Sequence, residues 1–485
     1  MATLIPENRA AFSLEEIAKA CSGELSNADW ASIQTTSVET DSRRVREGAL
    51  FVPLRGERFD AHAFLQQVQS ANAAATLAEP GAKVPESLPV VRVQDTLKAL
   101  GDLAAYHRRR WGGRVIAITG SAGKTTTKDL TYAALAELHK EESTQVARTA
   151  GNLNNLIGVP MTLLALTASH FIAVIEMGTN SPGEIARLAS IAAPEVGVVT
   201  SVAIAHAEGL GSLEGVAREK AELLRALPPL GTAIYNMDSA ALVEQVSDLA
   251  CHKLTFGTSA GADLILDSQR IIVTSDELLV SNNRYKLTKD NSTIEIPMAM
   301  LGTGPAVDAA AALAVVVTLH GNQAVAQAGR AIAKVQPTPG RMCPIHGTQD
   351  TLVLDDSYNA NPASMEASLK SCAEVARSKK GRAFAVLGAM KELGAHTRSA
   401  HVELGRRCGQ LGFKGLIGYG DAMTDAVDAA KAANVSHASL VNSHERAADL
   451  IAQWIQPGDV ILIKGSRSMA MERVVDALRR EVEVA

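Results

Sequence analysis

Along most of this chain, short and nearly uninterrupted apolar runs alternate with stretches where apolar residues recur every three to four positions. The runs predict strands buried on both faces. The second pattern predicts amphipathic helices, and the alternation of the two predicts a parallel sheet with crossover helices. Residues 1–112 read as mixed α/β, with strand-like runs at 49–54 and 88–93 among helical patterns. Strands are predicted at 115–119, 171–175, 196–201 and 232–236, with helices between them. Residues 262–297 break the alternation with short β-like runs and the turn residues Ser281, Asn282 and Asn283, which predicts an antiparallel insert. A helix is expected at 309–319. The segment VQPTPG at 335–340 reads as a linker, because two prolines and a glycine forbid helix there. Beyond it, strands at 351–354, 383–387, 415–419 and 460–463 predict a doubly wound sheet. The expected fold is α/β in three domains, at 1–112, 113–336 and 337–485.

Composition narrows the field of functions. A length of 485 residues suits about three domains, and 47% hydrophobic with 20% charged residues excludes a disordered or fibrous chain. The net charge of -5, with no long basic block, argues against gripping a nucleic-acid backbone. The five cysteines are odd in number and include no CxxC pair, which argues for a reducing compartment over a disulfide framework. The opening residues lack the basic start and apolar run of a signal peptide. The longest apolar run, 309–317, is about half a bilayer span. A cytoplasmic monomer with no membrane span and no nucleic-acid partner is expected.

The segment TGSAGKTTT at 119–127 follows the apolar run VIAI and opens a helical pattern. Gly120 and Gly123 permit a tight turn and close approach to an anion. The amides and dipole of a helix start favour phosphate, so Gly120, Ser121, Ala122, Gly123, Lys124, Thr125 and Thr126 form a candidate nucleotide loop. Lys124 offers a point charge to the β- and γ-phosphates, and the Thr125 hydroxyl is a candidate Mg²⁺ ligand. The strict GxxxxGK[ST] pattern fails, since Ile118 occupies its first glycine position. The plainer alternative is a helix cap containing a lysine.

Seven further blocks stand in order: TDSRRVREGALFVPLRGERFDAHAF (40–64), TAGNLNNLIGVPMTLL (149–164), EMGTNSPGEI (176–185), AHAEGLGSLEGVAREKAE (205–222), PTPGRM (337–342), LDDSYNANPASM (354–365) and IKGSRSMAMERVV (463–475). With the phosphate loop, they resemble the Mur ligases of bacterial cell-wall synthesis over nearly the whole chain. The resemblance implies a first domain for the UDP-sugar substrate, a central P-loop ATPase and a Rossmann-like third domain that receives the incoming amine. GNLNN and DDSYNANP resemble the branch that uses ATP and Mg²⁺ to join D-alanyl-D-alanine to UDP-N-acetylmuramoyl-tripeptide through an acyl phosphate. The same blocks argue against a sister ligase or a folate polyglutamylating enzyme, each adding one amino acid. A nucleotide-binding switch that makes no bond is the reading from another class.

Residue by residue, the resemblance implies that Lys124, His206, Lys220 and Arg341 carry catalysis. Glu176, at the end of an apolar strand, is implied as a metal ligand with Thr125, His206 and Lys220; a capping glutamate and a structural histidine are the alternatives. Lys220 lies in an amphipathic stretch and reads by itself as a solvated lysine, whereas the family implies a lysine carbamylated by CO₂. That chemistry needs a neutral amine and hence a lowered pKa. Asn152, Asn154 and Asn155 are implied to line the ATP and nucleotide-sugar cleft, or else hold their loop by Asx-turns. Arg341 is implied to reach the γ-phosphate, or else to anchor the linker. Asp356 is a candidate for the ATP ribose and Asp355 beside it for a structural role. Ser357, Tyr358, Asn359 and Asn361 are candidates for the dipeptide pocket. Lys464, Gly465, Ser466 and Arg467 read as a second strand–loop–helix anion nest, or as an ordinary helix start. Thr40, Asp41, Ser42 and Arg43 resemble a uridine-diphosphate site, while Phe51, Phe59 and Phe64 read as core.

Two stretches depart from the family pattern. Gly304 and Pro305 stand where histidine and asparagine usually help hold adenine, so that contact is absent or replaced. GAM at 388–390 replaces a common GDM, while the ELG at 392–394 and His401 are retained.

Overall fold

A computed structural model describes residues 3–56, 59–140, 145–203, 210–273 and 279–480. Its chain builds three sheets in sequence order. The first runs Glu24–Leu25, Val90–Arg92, Ala75–Ala78, Ala49–Phe51, Ser37–Glu39, parallel except for its first pair.

The second sheet has nine strands. Arg114–Thr119 lies inside it, flanked by Val196–Val199 and His170–Glu176. Gln145–Arg148 closes one edge. Thr232–Asn236 and His252–Gly257 continue the parallel order on the other side. The expected antiparallel segment is present as Leu264–Val273, Leu279–Leu287 and Ser292–Met298. It is no separate insert: Leu264–Val273 pairs in parallel with His252–Gly257 and extends the same sheet. The helix Thr303–His320 is apolar and long enough to cross a membrane by composition alone. Its residues from Ala309 to Val316 are fully buried against the central sheet, so it is a core helix.

The third sheet runs Cys343–His346, Leu352–Asp356, Val460–Lys464, Ala383–Gly388, Gly415–Tyr419, His437–Val441, parallel after its antiparallel first pair. All five cysteines are free thiols.

The basic stretch at 107–114 ties the first part of the chain to the second. It ends the helix Thr96–Trp111, which stops at Gly112 in the left-handed region that glycine tolerates. Arg108 is buried. Its Nε donates to the carbonyl of Ala192 at 2.8 Å and its Nη2 to Glu195 Oε1 at 2.8 Å, at the C-terminus of the helix Glu184–Ala192. There a guanidinium satisfies orphan carbonyls and complements the helix dipole. Arg110 bonds the carbonyl of Ala11 and lies over Phe12, and Trp111 Nε1 donates to Thr167. One hydrophobic core accordingly runs without a break from Phe12 and Leu50 to Leu188 and Leu223.

The expectation that Phe51, Phe59 and Phe64 are core holds for Phe51 alone. Phe59 is 62% and Phe64 42% exposed. Phe64 only caps the short helix Leu65–Ser70, whose buried face is supplied by Leu65 and Val68.

Replacing Arg108 by Ala leaves the helix-end carbonyls and Glu195 Oε1 without their guanidinium donor, while Glu195 Oε2 keeps the Val115 amide. We expect a loss of about 2 kcal/mol in the first transition of urea unfolding, read by tryptophan fluorescence.

Candidate active site

The C-terminal ends of parallel strands from the second and third sheets meet at one cavity of about 600 Å³. Open α/β sheets place ligands at this edge. Strand register fixes the positions: Ile118 pairs with Glu176 and Thr119 with Val199 in one sheet, and Asp356 with Lys464 in the other.

The predicted loop turns from Arg114–Thr119 into the helix Lys124–Leu138. Gly123 adopts φ +83°, and a Cβ there would overlap the Asp308 carboxylate. Ser121 to Thr126 line the cavity. The Ser121 and Ala122 amides are taken by Ser201, which follows Val196–Val199: Ser121 N donates to its carbonyl at 2.9 Å and Ala122 N to its hydroxyl at 3.0 Å. The anion-facing amides are therefore those of the first helical turn, which have no intrahelical partner. Lys124 Nζ curls back to the Gly120 carbonyl at 2.7 Å. Enclosure by the protein pushes its ammonium below the usual lysine range; Glu176 and Asp308 oppose that shift and Arg341 adds to it.

Glu176 ends its strand with 1% exposure. Asn154 Nδ2 donates to Glu176 Oε1 at 2.8 Å, and Oε2 is buried without a hydrogen-bond partner. Asn152 lines the same cavity and accepts a bond from Thr3 Oγ1. Asn154 and Asn155 line it too, and Asn155 also holds its own loop: its Oδ1 accepts the amides of Ile157 and Gly158. Lys220 corrects the solvated reading, being 2% exposed. Burial above all, with the nearby Lys124, lowers its pKa to about 7, and Glu219 acts the other way. His206 lies outside the described residues.

Across the cavity, Arg341 Nη2 donates to Thr125 Oγ1 at 3.1 Å, and its guanidinium lies 4.3 Å from the Tyr358 ring centroid. Asp356 lines the cavity. It also accepts Lys464 Nζ at 2.6 Å and the Met342 amide at 3.2 Å. Asp355 has the structural role expected: it accepts the amides of Gly340 and Ser357. Tyr358, Asn359 and Asn361 line the cavity, and Asn361 also caps the helix Pro362–Ser378.

The second anion nest differs from its sequence reading. Lys464 lines the cavity but is buried and committed to Asp356 and the Asn359 carbonyl. Ser466 Oγ accepts the Lys391 amide, and exposed Arg467 pairs with Glu472. The helix begins only at Glu472, after a 3-10 turn and a left-handed Ala470, so this loop does not open directly into a helix dipole. In the first sheet, Asp41 accepts Arg43 Nη2 at 2.6 Å and Nε at 2.9 Å; these residues, with Ser42, lie away from the cavity. His401 is fully buried, holding the Met390 amide and the Thr397 carbonyl.

Asp308 is the residue that sequence reasoning missed. Gly304 and Pro305 line the cavity but offer it no polar side chain, and Asp308, one turn further along the helix, is the next polar group. It is 8% exposed. Burial raises its pKa to about 8, against the pull of Arg341 and Lys124. A polar residue four places after the departure, inside an alanine-rich run, was the available signal.

A divalent cation fits these residues. Glu176 Oε2 is an unpartnered oxygen acceptor, and the Thr125 hydroxyl lines the same cavity. Among the described residues no three His, Cys, Asp or Glu side chains cluster as a metal site. That donor set suits Mg²⁺, which takes one or two protein oxygens and completes its shell with phosphate and water.

Three family descriptions match the chain: "Mur ligase family, catalytic domain" at 34–108, "Mur ligase middle domain" at 118–316, and "Mur ligase, glutamate ligase domain" at 340–467. The UDP-N-acetylmuramoyl-tripeptide–D-alanyl-D-alanine ligase of Escherichia coli K12 is 37% identical over 96% of this chain and 98% of its own length. Its Bacillus subtilis counterpart is 33% identical over 96% and 98%. Among solved structures, MurF from Acinetobacter baumannii superposes with a TM-score of 0.83 at 27% identity, covering 97% of this chain and 98% of that one. MurF ligase from Thermotoga maritima in complex with ADP gives 0.79 at 29% identity, covering 91% and 96%.

A raised Asp308 pKa means that the folded state binds a proton the unfolded chain has released between about pH 4 and pH 8. Folding stability from this group therefore falls as pH rises through that window. Asp308→Asn removes the dependence, so its melting temperature relative to the parent should rise between pH 6 and pH 8.5 in differential scanning fluorimetry.

Proposed function

The chain belongs to the Mur ligase family, and from that premise we infer that it joins D-alanyl-D-alanine to UDP-N-acetylmuramoyl-tripeptide, converting ATP to ADP and phosphate in peptidoglycan precursor synthesis. It is an ATP-dependent acid–amino-acid ligase. The observation that carries the reading is one cavity where the phosphate loop, Glu176, Arg341 and Asp356 converge. Residues 1–112 hold the UDP-muramoyl peptide, 113–336 the ATP, and 337–485 the incoming dipeptide. The enzyme works as a cytoplasmic monomer.

In the first step a peptide carboxylate oxygen attacks the γ-phosphorus of ATP, the bond to the β-phosphate oxygen breaks, and ADP leaves. In the second, the dipeptide amine adds to the acyl carbon, phosphate departs with the carbon–oxygen electrons, and the nitrogen loses a proton. No protein nucleophile is needed. The barrier lies in bringing two anions together, so fixed cations carry the work. Lys124 and Arg341 face the transferring phosphoryl group from opposite walls, and the Arg341 fork matches its spreading equatorial charge. Thr125 and Glu176 would hold Mg²⁺, which supplies charge neutralisation between the phosphates. Asp356 accepts from the ribose, and Tyr358, Asn359 and Asn361 shape the dipeptide side. Asp41, Ser42 and Arg43 hold the uridine diphosphate, with Arg43 exchanging Asp41 for phosphate.

Lys220 supports a carbamate. With a pKa of about 7, much of its amine is neutral at physiological pH. That amine adds to CO₂, forms an N–C bond and releases a proton, giving an anionic ligand where a cation stood. Under ¹³C-labelled CO₂ at pH 8, NMR should show a protein carbamate carbon that is missing from Lys220→Arg.

The substrate assignment is tested with a matrix of UDP-muramoyl peptides against single amino acids and dipeptides, reading product mass and phosphate. Product is expected only from the tripeptide with D-alanyl-D-alanine and ATP. A product with one amino acid would assign a sister activity, and ATP turnover without either substrate would assign a switch.

A further inference from the structure

Lys128 is a buried cation for which the steps above have no use. It lies one helical turn below Lys124, on the same face of the helix Lys124–Leu138. Its side chain is 3% exposed, and that of Glu176 is 2% exposed. Lys128 Nζ stands 3.8 Å from Glu176 Oε2, 3.5 Å from the Gly151 carbonyl and 3.5 Å from Asp129 Oδ1. Asp129 also takes Arg148 at 2.8 Å, and Lys124, the other lysine facing Glu176, is committed to the Gly120 carbonyl. The Glu176 oxygen nearest Lys128 is therefore the one without a hydrogen bond.

These distances set up a competition. A carboxylate this deep has given up its water and is stabilised by a nearby positive charge. At 3.8 Å, Lys128 is close enough to supply that charge and too far to tie the oxygen in a hydrogen bond. A divalent ion arriving at the same oxygen meets the Lys128 ammonium at short range and is repelled by it. A nucleotide triphosphate carries enough negative charge to overcome that repulsion.

We propose that Lys128 is a placeholder cation: it holds Glu176 in the nucleotide-free protein and keeps a bare divalent ion out until a phosphate chain brings one in. Lys128 is thus a positioning residue that orders binding, with the ion entering as its nucleotide complex. The inference rests on the reading of Glu176 as a cation ligand.

The test uses the full chain and Mn²⁺, whose free concentration is read by electron paramagnetic resonance. Without nucleotide, Lys128→Met should bind Mn²⁺ about tenfold or more tightly than the parent. It should also melt lower than the parent in the absence of divalent ion and recover when Mn²⁺ is added, whereas the parent should not respond. The double variant Lys128→Met with Glu176→Gln, which removes both charges, should recover melting temperature without gaining Mn²⁺ affinity. If Lys128→Met does not fold, Lys128→Gln takes its place. Unchanged Mn²⁺ affinity, or a lowered melting temperature that Mn²⁺ does not restore, overturns the placeholder role and leaves Lys128 a packing residue. Parent protein that binds no more Mn²⁺ than Glu176→Gln, even with a non-hydrolysable ATP analogue, overturns the Glu176 reading itself.

Discussion

Anions that must meet in a confined space repel each other, and water cannot be relied on to screen them there. The cavity meets that constraint with lysines and arginines drawn to the ends of parallel strands. Lys124 comes from a helix of the central part, and Arg341 and Lys464 from beyond the linker, while Lys128 and Lys220 are buried in central helices without lining the cavity. Each buried cation has an assigned counterpart or a shifted proton affinity. Lys464 has Asp356, Lys128 has Glu176 at ion-pair distance, and Lys220 is driven toward neutrality. The one prominent acid in reserve, Asp308, is pushed toward its protonated form by the same burial.

The scaffold explains how so many charges can be held without collapse. The first two sheets share one hydrophobic core, bolted by Arg108, Arg110 and Trp111, so the phosphate loop sits on a single rigid body. The third sheet packs around two further clusters, one of which also takes in Ile271, Leu279 and Leu301 from the central part. Contact between the central part and the third sheet is therefore partly apolar, and at the cavity Arg341 and Thr125 add a polar link.

The phosphate loop was legible because its signal is local: glycines, lysine and threonine between a strand run and a helix pattern. The strands at 232–236 and 415–419 match their predicted limits for the same reason, since a buried parallel strand writes itself as an apolar run. Phe59 and Phe64 misled because hydrophobic character alone does not say which face of a short turn meets the core. The loop at 464–467 reads in sequence as running straight into a helix, but the left-handed Ala470 delays that helix to Glu472.

The sequence by itself determined the α/β class, the linker, the phosphate loop and the family, because each is written in neighbouring residues or in ordered blocks. Tertiary structure alone decided which charges are buried and against what. Nothing local distinguishes Lys128 and Lys220 from solvated helix lysines, or marks Asp308 as more than a polar interruption among alanines. Their proton affinities and partners depend on side chains brought from distant strands, and the energy of a charge is set by the surroundings that folding gives it.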